Sequence, residues 1–373
     1  MAATATGWLA ALAGFDLMTP ARLRALVAHH EPAEAFAVAA GRATPHVVVR
    51  ALLTTELAAA WRASAQRRSP EEWSARCAQA GITAHTMVDA TYPAPLRLDP
   101  EPPAVLFVRG DLAVLEARRV GVVGTRNATQ AGRDTAFELG RALADAGVAV
   151  VSGLAKGIDG AAHRGVLAVP AGRPVAVVGN GPDQAYPRVH ERLWADVCER
   201  GVLLSEWPPG TPPEAYRFPL RNRILAALSE VLVVVESRER GGSLITAQAA
   251  IERDVEVMAV PGSVRNRAAA GTNQLLRDGA APVTSPDDVL VALGLDTRRR
   301  GGVTYDPRAL PRGVEAEVLA ACREDPRTLD DLVRLLELPI AEVAIALARL
   351  ERAGWVREAG GWFEPVVSWS AQG

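Results

Sequence analysis

Six short runs of consecutive apolar residues, each closed by a polar, glycine-rich turn, fix most of what this chain can fold into. They are Val120 to Val123, Val148 to Val151, Val175 to Val178, Val202 to Leu204, Val231 to Val235 and Val257 to Val260. A strand with apolar residues at successive positions is buried on both faces, which requires a parallel sheet covered by helices on each side. Amphipathic stretches lie between the runs, so residues 101–297 are expected to form a doubly wound, mostly parallel Rossmann-like α/β domain. Ligands of open parallel sheets bind beyond the carboxyl ends of the strands. The turns there are Gly124-Thr-Arg126, Ser152-Gly153 with Lys156, Gly179-Asn-Gly-Pro-Asp183 with Tyr186-Pro187, Ser205-Glu-Trp-Pro-Pro-Gly210, Arg238-Glu-Arg-Gly-Gly-Ser243 and Pro261-Gly262.

At 373 residues the chain exceeds one ordinary core, and two or three domains are expected. Helical periodicity in Pro20 to Val27 and Val47 to Ala60 predicts an N-terminal helical domain within residues 1–100, closed by a linker that Pro93, Pro95, Pro100, Pro102 and Pro103 hold extended. A polar linker over 298–311 precedes helical segments near Val314 to Cys322, Thr328 to Leu336 and Ile340 to Ala353. The hairpin pattern of Trp355 to Val366 completes a winged helix in 312–373. Cys77, Cys198 and Cys322 form neither a disulfide framework nor a zinc signature, so a reducing cytoplasm is the expected location and no metal site is expected. The stretch Met1 to Gly14 lacks the basic residues of a secretory signal, and no segment has the apolar length of a membrane span.

Charge sharpens the reading. Lys156 is the only lysine among 41 basic residues, and it sits in a strand-to-helix turn, the geometry that binds phosphate. Arg126, Arg221, Arg223, Arg238 and Arg240 fall on or near the same edge. Residues 104–296 hold 21 basic and 22 acidic side chains, so positive charge at the rim would be a focused site in a near-neutral domain. Each arginine has the alternative of a salt bridge to a neighbouring carboxylate. Phe218, Trp207 and Tyr216 lie near the rim and either stack on bases or pack internally. The first strand is not followed by the dinucleotide fingerprint, and no Walker A sequence occurs, which favours a mononucleotide or a nucleic-acid backbone over NAD or ATP. No cofactor is expected.

Val122-Val-Gly-Thr-Arg126, Ser152-Gly-Leu-Ala-Lys-Gly-Ile-Asp159, Gly181-Pro-Asp-Gln-Ala-Tyr-Pro187, Phe218-Pro-Leu-Arg-Asn-Arg223, Gly242-Ser-Leu-Ile-Thr-Ala247, Val260-Pro-Gly262 and Gly271-Thr-Asn273 together closely resemble the DNA-processing protein A (Smf) family. The three-part layout resembles its longer members, with a helical domain similar to a sterile alpha motif and a C-terminal winged helix. The resemblance implies a cytoplasmic, dimeric protein that binds and shields single-stranded DNA and helps load the RecA recombinase during natural transformation. It implies Gly124, Thr125 and Arg126 at a backbone phosphate, with Lys156 in the positive pocket and Asn222 and Arg223 as neighbours. The remaining turn residues, Ser152, Gly153, Arg221, Gly242 and Ser243, complete the expected site. Ser243 is also expected to cap the helix that follows it. His190 stands where the family commonly has asparagine.

Two other classes compete. Phosphoribohydrolases of the lysine-decarboxylase-like group share this architecture and carry a glutamate on the helix after a glycine-rich turn. Here Gln248 stands near that place and cannot act as general acid or base, while Glu252 is displaced by a turn. Asp159 and His163 share a helical face, yet an acid at a helix N-terminus and a packed histidine account for them. No catalytic residue is therefore assigned. A transcription factor is suggested by the winged helix alone, but residues 312–364 carry 7 arginines against 11 acids, a poor surface for phosphates. Ile340, Val343, Leu347 and Leu350 are expected to face inward on its third helix, leaving Ala341, Ile345 and Ala348 to a protein partner.

Overall fold

The computed structural model describes residues 3–295 and 311–366. They form two compact units, Met1–Leu295 and Asp296–Gly373. The expected 298–311 linker lies, apart from its last residue, outside the described residues.

The first unit begins with six helices, α1 (Ala5–Ala13), α2 (Pro20–Val27), α3 (Pro32–Ala39), α4 (Val47–Leu52), α5 (Thr55–Arg67) and α6 (Pro70–Ala80). The periodic stretch from Val47 is split in two, because one helix closes at an extended Leu53 and Thr54 caps the next, its hydroxyl accepting from Leu57 N at 3.1 Å. These helices close over Leu9, Leu12, Leu26, Phe36 and Trp61. Strand β1 (Ile82–His85) and helix α7 (Ala94–Arg97) follow. The prolines do not keep this stretch wholly extended, because a proline in the first turn of a helix sacrifices no hydrogen bond.

The α/β part runs β2 (Leu106–Gly110), β3 (Arg119–Val123), α8 (Gln130–Asp145), β4 (Ala149–Ser152), α9 (Ile158–Leu167), β5 (Pro174–Val178), α10 (Glu191–Arg200), β6 (Val202–Ser205), α11 (Arg217–Leu228), β7 (Val231–Val234), α12 (Gly242–Ile251), β8 (Glu256–Ala259), α13 (Ala270–Arg277), β9 (Ala281–Pro282) and α14 (Pro286–Ala292). All six apolar runs are strands, within a residue or two of their expected ends. The sheet order is β1-β2-β6-β5-β4-β3-β7-β8-β9, parallel from β6 to β9, with β2 antiparallel to both β6 and β1. The residue-100 boundary expected from sequence thus falls between two paired strands.

Successive residues of each strand serve opposite faces. Val120 and Val122 join Leu139, Leu143, Ala162 and Val166 of α8 and α9. Val123, Val151 and Val177 join Ile224, Leu225 and Leu228 of α11 on the other side. The chain leaves β3 for one direction along the sheet and β7 for the other, so the β3/β7 boundary is the switch point where a crevice opens at the carboxyl edge.

The second unit is α15 (Val314–Glu324), β10 (Arg327–Thr328), α16 (Leu329–Leu336), α17 (Ile340–Arg352), β11 (Val356–Ala359) and β12 (Trp362–Pro365). Gly360 and Gly361, at φ 63° and 87°, make the tight hairpin turn that needs two residues with positive φ. On α17, Val343, Leu347 and Leu350 are buried as expected, together with Ala346. Ile340 instead stands 57% exposed at the first position of the helix.

Candidate nucleic-acid interface

A cleft of about 470 Å³ lies at the switch point, and a smaller one of about 230 Å³ adjoins it. Gly124, Thr125 and Arg126 enter the larger cleft from the end of β3, Arg238, Arg240, Gly242 and Ser243 from the β7 turn and start of α12, and Arg221 and Asn222 from α11. Gly153 and Lys156 line the smaller cleft, and Arg126 and Arg221 line both.

Close backbone packing sets the first turn. A Cβ on Gly124 would stand 2.5 Å from Ile158 Cγ1, and Thr125 N donates to Glu236 O at 2.8 Å, tying β3 to β7 across the switch point. Gly157, at φ 78°, brings the start of α9 against the Thr125 carbonyl, where a Cβ would come within 2.3 Å. Glu236, buried, accepts from Thr129 N at 2.9 Å and Thr129 Oγ1 at 2.6 Å, placing a carboxylate at the N-terminus of α8.

Beneath the clefts lie two buried charges. Asp159 accepts from Gly153 N at 3.1 Å, and Arg221 donates from Nη1 to the Val177 carbonyl. Gly153 packs between them, since a Cβ there would meet both the guanidinium and the carboxylate. Burial pushes the Asp159 carboxyl above its usual range, opposed by Arg221, and pushes the Arg221 guanidinium down to about 10, opposed by Asp159. Arg221 thus forms the floor of the site.

The exposed charges stand above that floor. Arg126, Lys156, Arg238 and Arg240 are exposed and make no ion pair among the described residues. Phe218 supports Arg126, whose guanidinium lies over the ring at 5.0 Å, and Tyr186 stacks on the same ring at 5.5 Å. Four cations without carboxylate partners beside a pair of aromatic faces suit a phosphodiester backbone and its bases.

Two expected site residues are placed away from the clefts, and a third does not take its expected capping role. Arg223 is turned from both clefts, held by Glu206 at 2.6 Å, because two residues along a helix separate it from Arg221 by more than half a turn. Ser152 is buried and donates to the Val122 carbonyl at 2.6 Å, joining β3 to β4. Ser243 lines the cleft but caps nothing. Its hydroxyl donates to Ser237 Oγ at 2.9 Å, and α12 starts two residues earlier than expected, with Gly241 at the cap. His190 is buried, with Nδ1 3.0 Å from the Leu154 carbonyl, and supports the β4 turn from behind. Tyr186 is the residue that the sequence left unassigned, since its partner Phe218 comes from a different crossover and only the fold brings them together.

The DNA recombination-mediator protein A family model matches residues 83–294, and the DprA winged helix domain model matches residues 305–361. Protein Smf of Escherichia coli strain K12 is 38% identical over 281 residues, 73% of this chain and 74% of that protein. DNA processing protein DprA of Bacillus subtilis strain 168 is 40% identical over 214 residues, 57% of this chain and 72% of that one. The solved structure of DNA processing protein A from Streptococcus pneumoniae matches with a TM-score of 0.62 and 29% identity, covering 78% of this chain and 98% of that one. DNA processing protein A from Helicobacter pylori, whose structure describes its single-stranded DNA binding mode, matches with a TM-score of 0.51 and 27% identity over 56% of this chain and 95% of that one. On these matches the chain belongs to the DNA recombination-mediator protein A family.

Proposed function

We propose that this protein is a non-enzymatic binder of single-stranded DNA, holding the strand by its backbone in the paired clefts. The observation that carries the reading is the meeting of Arg126, Lys156, Arg238 and Arg240, exposed and without ion-pair partners among the described residues, around the Phe218–Tyr186 stack. Backbone contacts of this kind give affinity without sequence preference, and stacking faces favour unpaired bases. The binding mode described for the Helicobacter pylori relative supports the same ligand. Shielding the strand, loading RecA recombinase, pairing as a homodimer and residing in the cytoplasm are further parts of this proposal, and rest on the family resemblance.

A hydrolase reading finds little support in the site. Asp159, the acid that lines the larger cleft, is held by the Gly153 amide, and Glu236 behind it is held by Thr129, so both serve the fold. Gln248 is exposed and donates to Glu252 at 3.1 Å. Anisotropy titration of labelled single-stranded and duplex oligonucleotides across a salt series tests the proposal. Single strands are expected to bind tighter, with affinity falling steeply as salt rises. Equal or tighter binding of blunt duplex, or no salt dependence, would overturn it.

A further inference from the structure

We infer that the bound strand continues from the clefts, over the first turn of α11, into a second groove between the N-terminal helices and the sheet. The inference rests on the single-strand reading above. The groove has a volume of about 570 Å³, and its walls come from both parts of the first unit. Arg68 and Trp73 project from the α5–α6 region, with Arg76 one turn further along α6. Trp207 and Tyr216 project from the segment between β6 and α11, and Arg217 opens α11.

Planar faces and guanidinium groups alternate along it. Arg68 and Arg76 flank Trp73, 5.3 and 5.1 Å from its ring, and Arg217 lies 4.6 Å from Trp207 and 5.2 Å from Tyr216. Two of these cations are partly neutralised, Arg76 by Asp183 at 2.7 Å and Arg217 by Glu214 at 3.3 Å. Arg68 differs. It is half-buried, and among the described residues it makes no ion pair or hydrogen bond. Asp16, the acid nearest in effect, is bound by Arg67. A half-buried guanidinium lying against an indole without a carboxylate is a place for an incoming anion.

Continuity with the primary site comes from one ridge. Pro212, Tyr216 and Arg217 line the groove, while Pro213, Ala215 and Phe218 line the cleft, so neighbouring residues of a single segment serve both. A strand crossing that ridge meets aromatic faces on both slopes, Phe218 and Tyr186 before it and Tyr216, Trp207 and Trp73 after it. Unpaired bases offer a face to each, which the stacked pairs of a duplex do not.

Oligothymidines of about 5 and about 15 nucleotides, within the span of known single-strand sites, separate the two regions by anisotropy. Arg126→Ala is expected to weaken both lengths. Arg68→Ala and Trp73→Ala are expected to weaken only the longer one, by about fivefold or more, the lower end for a lost base stack. Arg68→Ala should also flatten its salt slope by about 0.7, one phosphate contact. Trp73→Phe, which keeps a stacking face, should restore most of the affinity, and thermal melting of each variant shows that the fold is kept. Unchanged binding of the longer strand by a folded Arg68→Ala, or an equal loss for both lengths, overturns the groove and leaves the cleft standing. Failure of the wild-type protein to bind either length overturns the single-strand reading itself.

Discussion

The Arg126 guanidinium rests on the Phe218 ring, 5.0 Å from its centroid, although the two residues come from different crossovers of the sheet. The ring fixes a long, exposed cation whose charge would otherwise sample a wide volume, and Tyr186 fixes the ring. Phe218→Ala is therefore expected to lower single-strand affinity about two- to fivefold, the range of an exposed cation–π contact, with Phe218→Tyr near wild type. Anisotropy titration checks this. A Phe218→Ala protein with wild-type affinity would remove the stack from the site.

Lys156 has no carboxylate partner among the described residues, and Asp159, the acid three residues on, is committed to the Gly153 amide. A lysine that held its turn together would show such a pairing. Lys156→Ala should accordingly leave the melting temperature unchanged while flattening the slope of log affinity against log salt by about 0.7. The loss should be similar for all strand sequences, since a phosphate contact carries no base information. A lowered melting temperature with an unchanged slope would reassign Lys156 to structure.

How far the site could be read from sequence depended on the kind of information each residue needs. Strand apolarity and turn composition are local, so the six core strands and the rim positions of Gly124, Arg126, Lys156 and Arg238 were legible. Side-chain direction on a helix that emerges from a long irregular segment was not. Arg221 and Arg223 are two residues apart, and only the packing of α11 decides that one lines the floor while the other seeks Glu206. Strand β1, with only four residues, carries no periodic signal of its own, and it is a strand because β2 offers an edge to pair with.

Buried histidine gives the protein a pH dependence apart from DNA binding. Burial, with the positive surroundings of His190 and Arg221, pushes His163 down to about 3. In the unfolded chain it titrates near its ordinary value of 6.5. Between those values the unfolded state binds the extra proton, so stability present above the unfolded value is lost as pH falls through the window. One such group contributes a slope of at most about 1.4 kcal/mol per pH unit. Denaturant unfolding at pH 7 and pH 5 should show wild type losing more stability on acidification than His163→Gln. Equal losses would place the acid sensitivity elsewhere.

Removal of residues 296–373 is expected to change single-strand affinity by less than about tenfold, or about 1.4 kcal/mol. The clefts and the groove are built entirely from the first compact unit, so the truncated chain keeps every proposed contact. The winged helix offers little to a phosphate backbone, with 7 arginines against 11 acids over residues 312–364. Of those arginines, Arg349 is already paired with Glu315 at 3.1 Å. Its outer face presents Leu335, Ile340 and Ile345, side chains that gain from apolar contact and give nothing to an anion. Titration of the truncated protein, with melting to show that it folds, decides the matter. A loss well above tenfold in a folded protein would mean that the acidic unit reaches the strand through its unpaired arginines, and the binding site would have to be extended to include it.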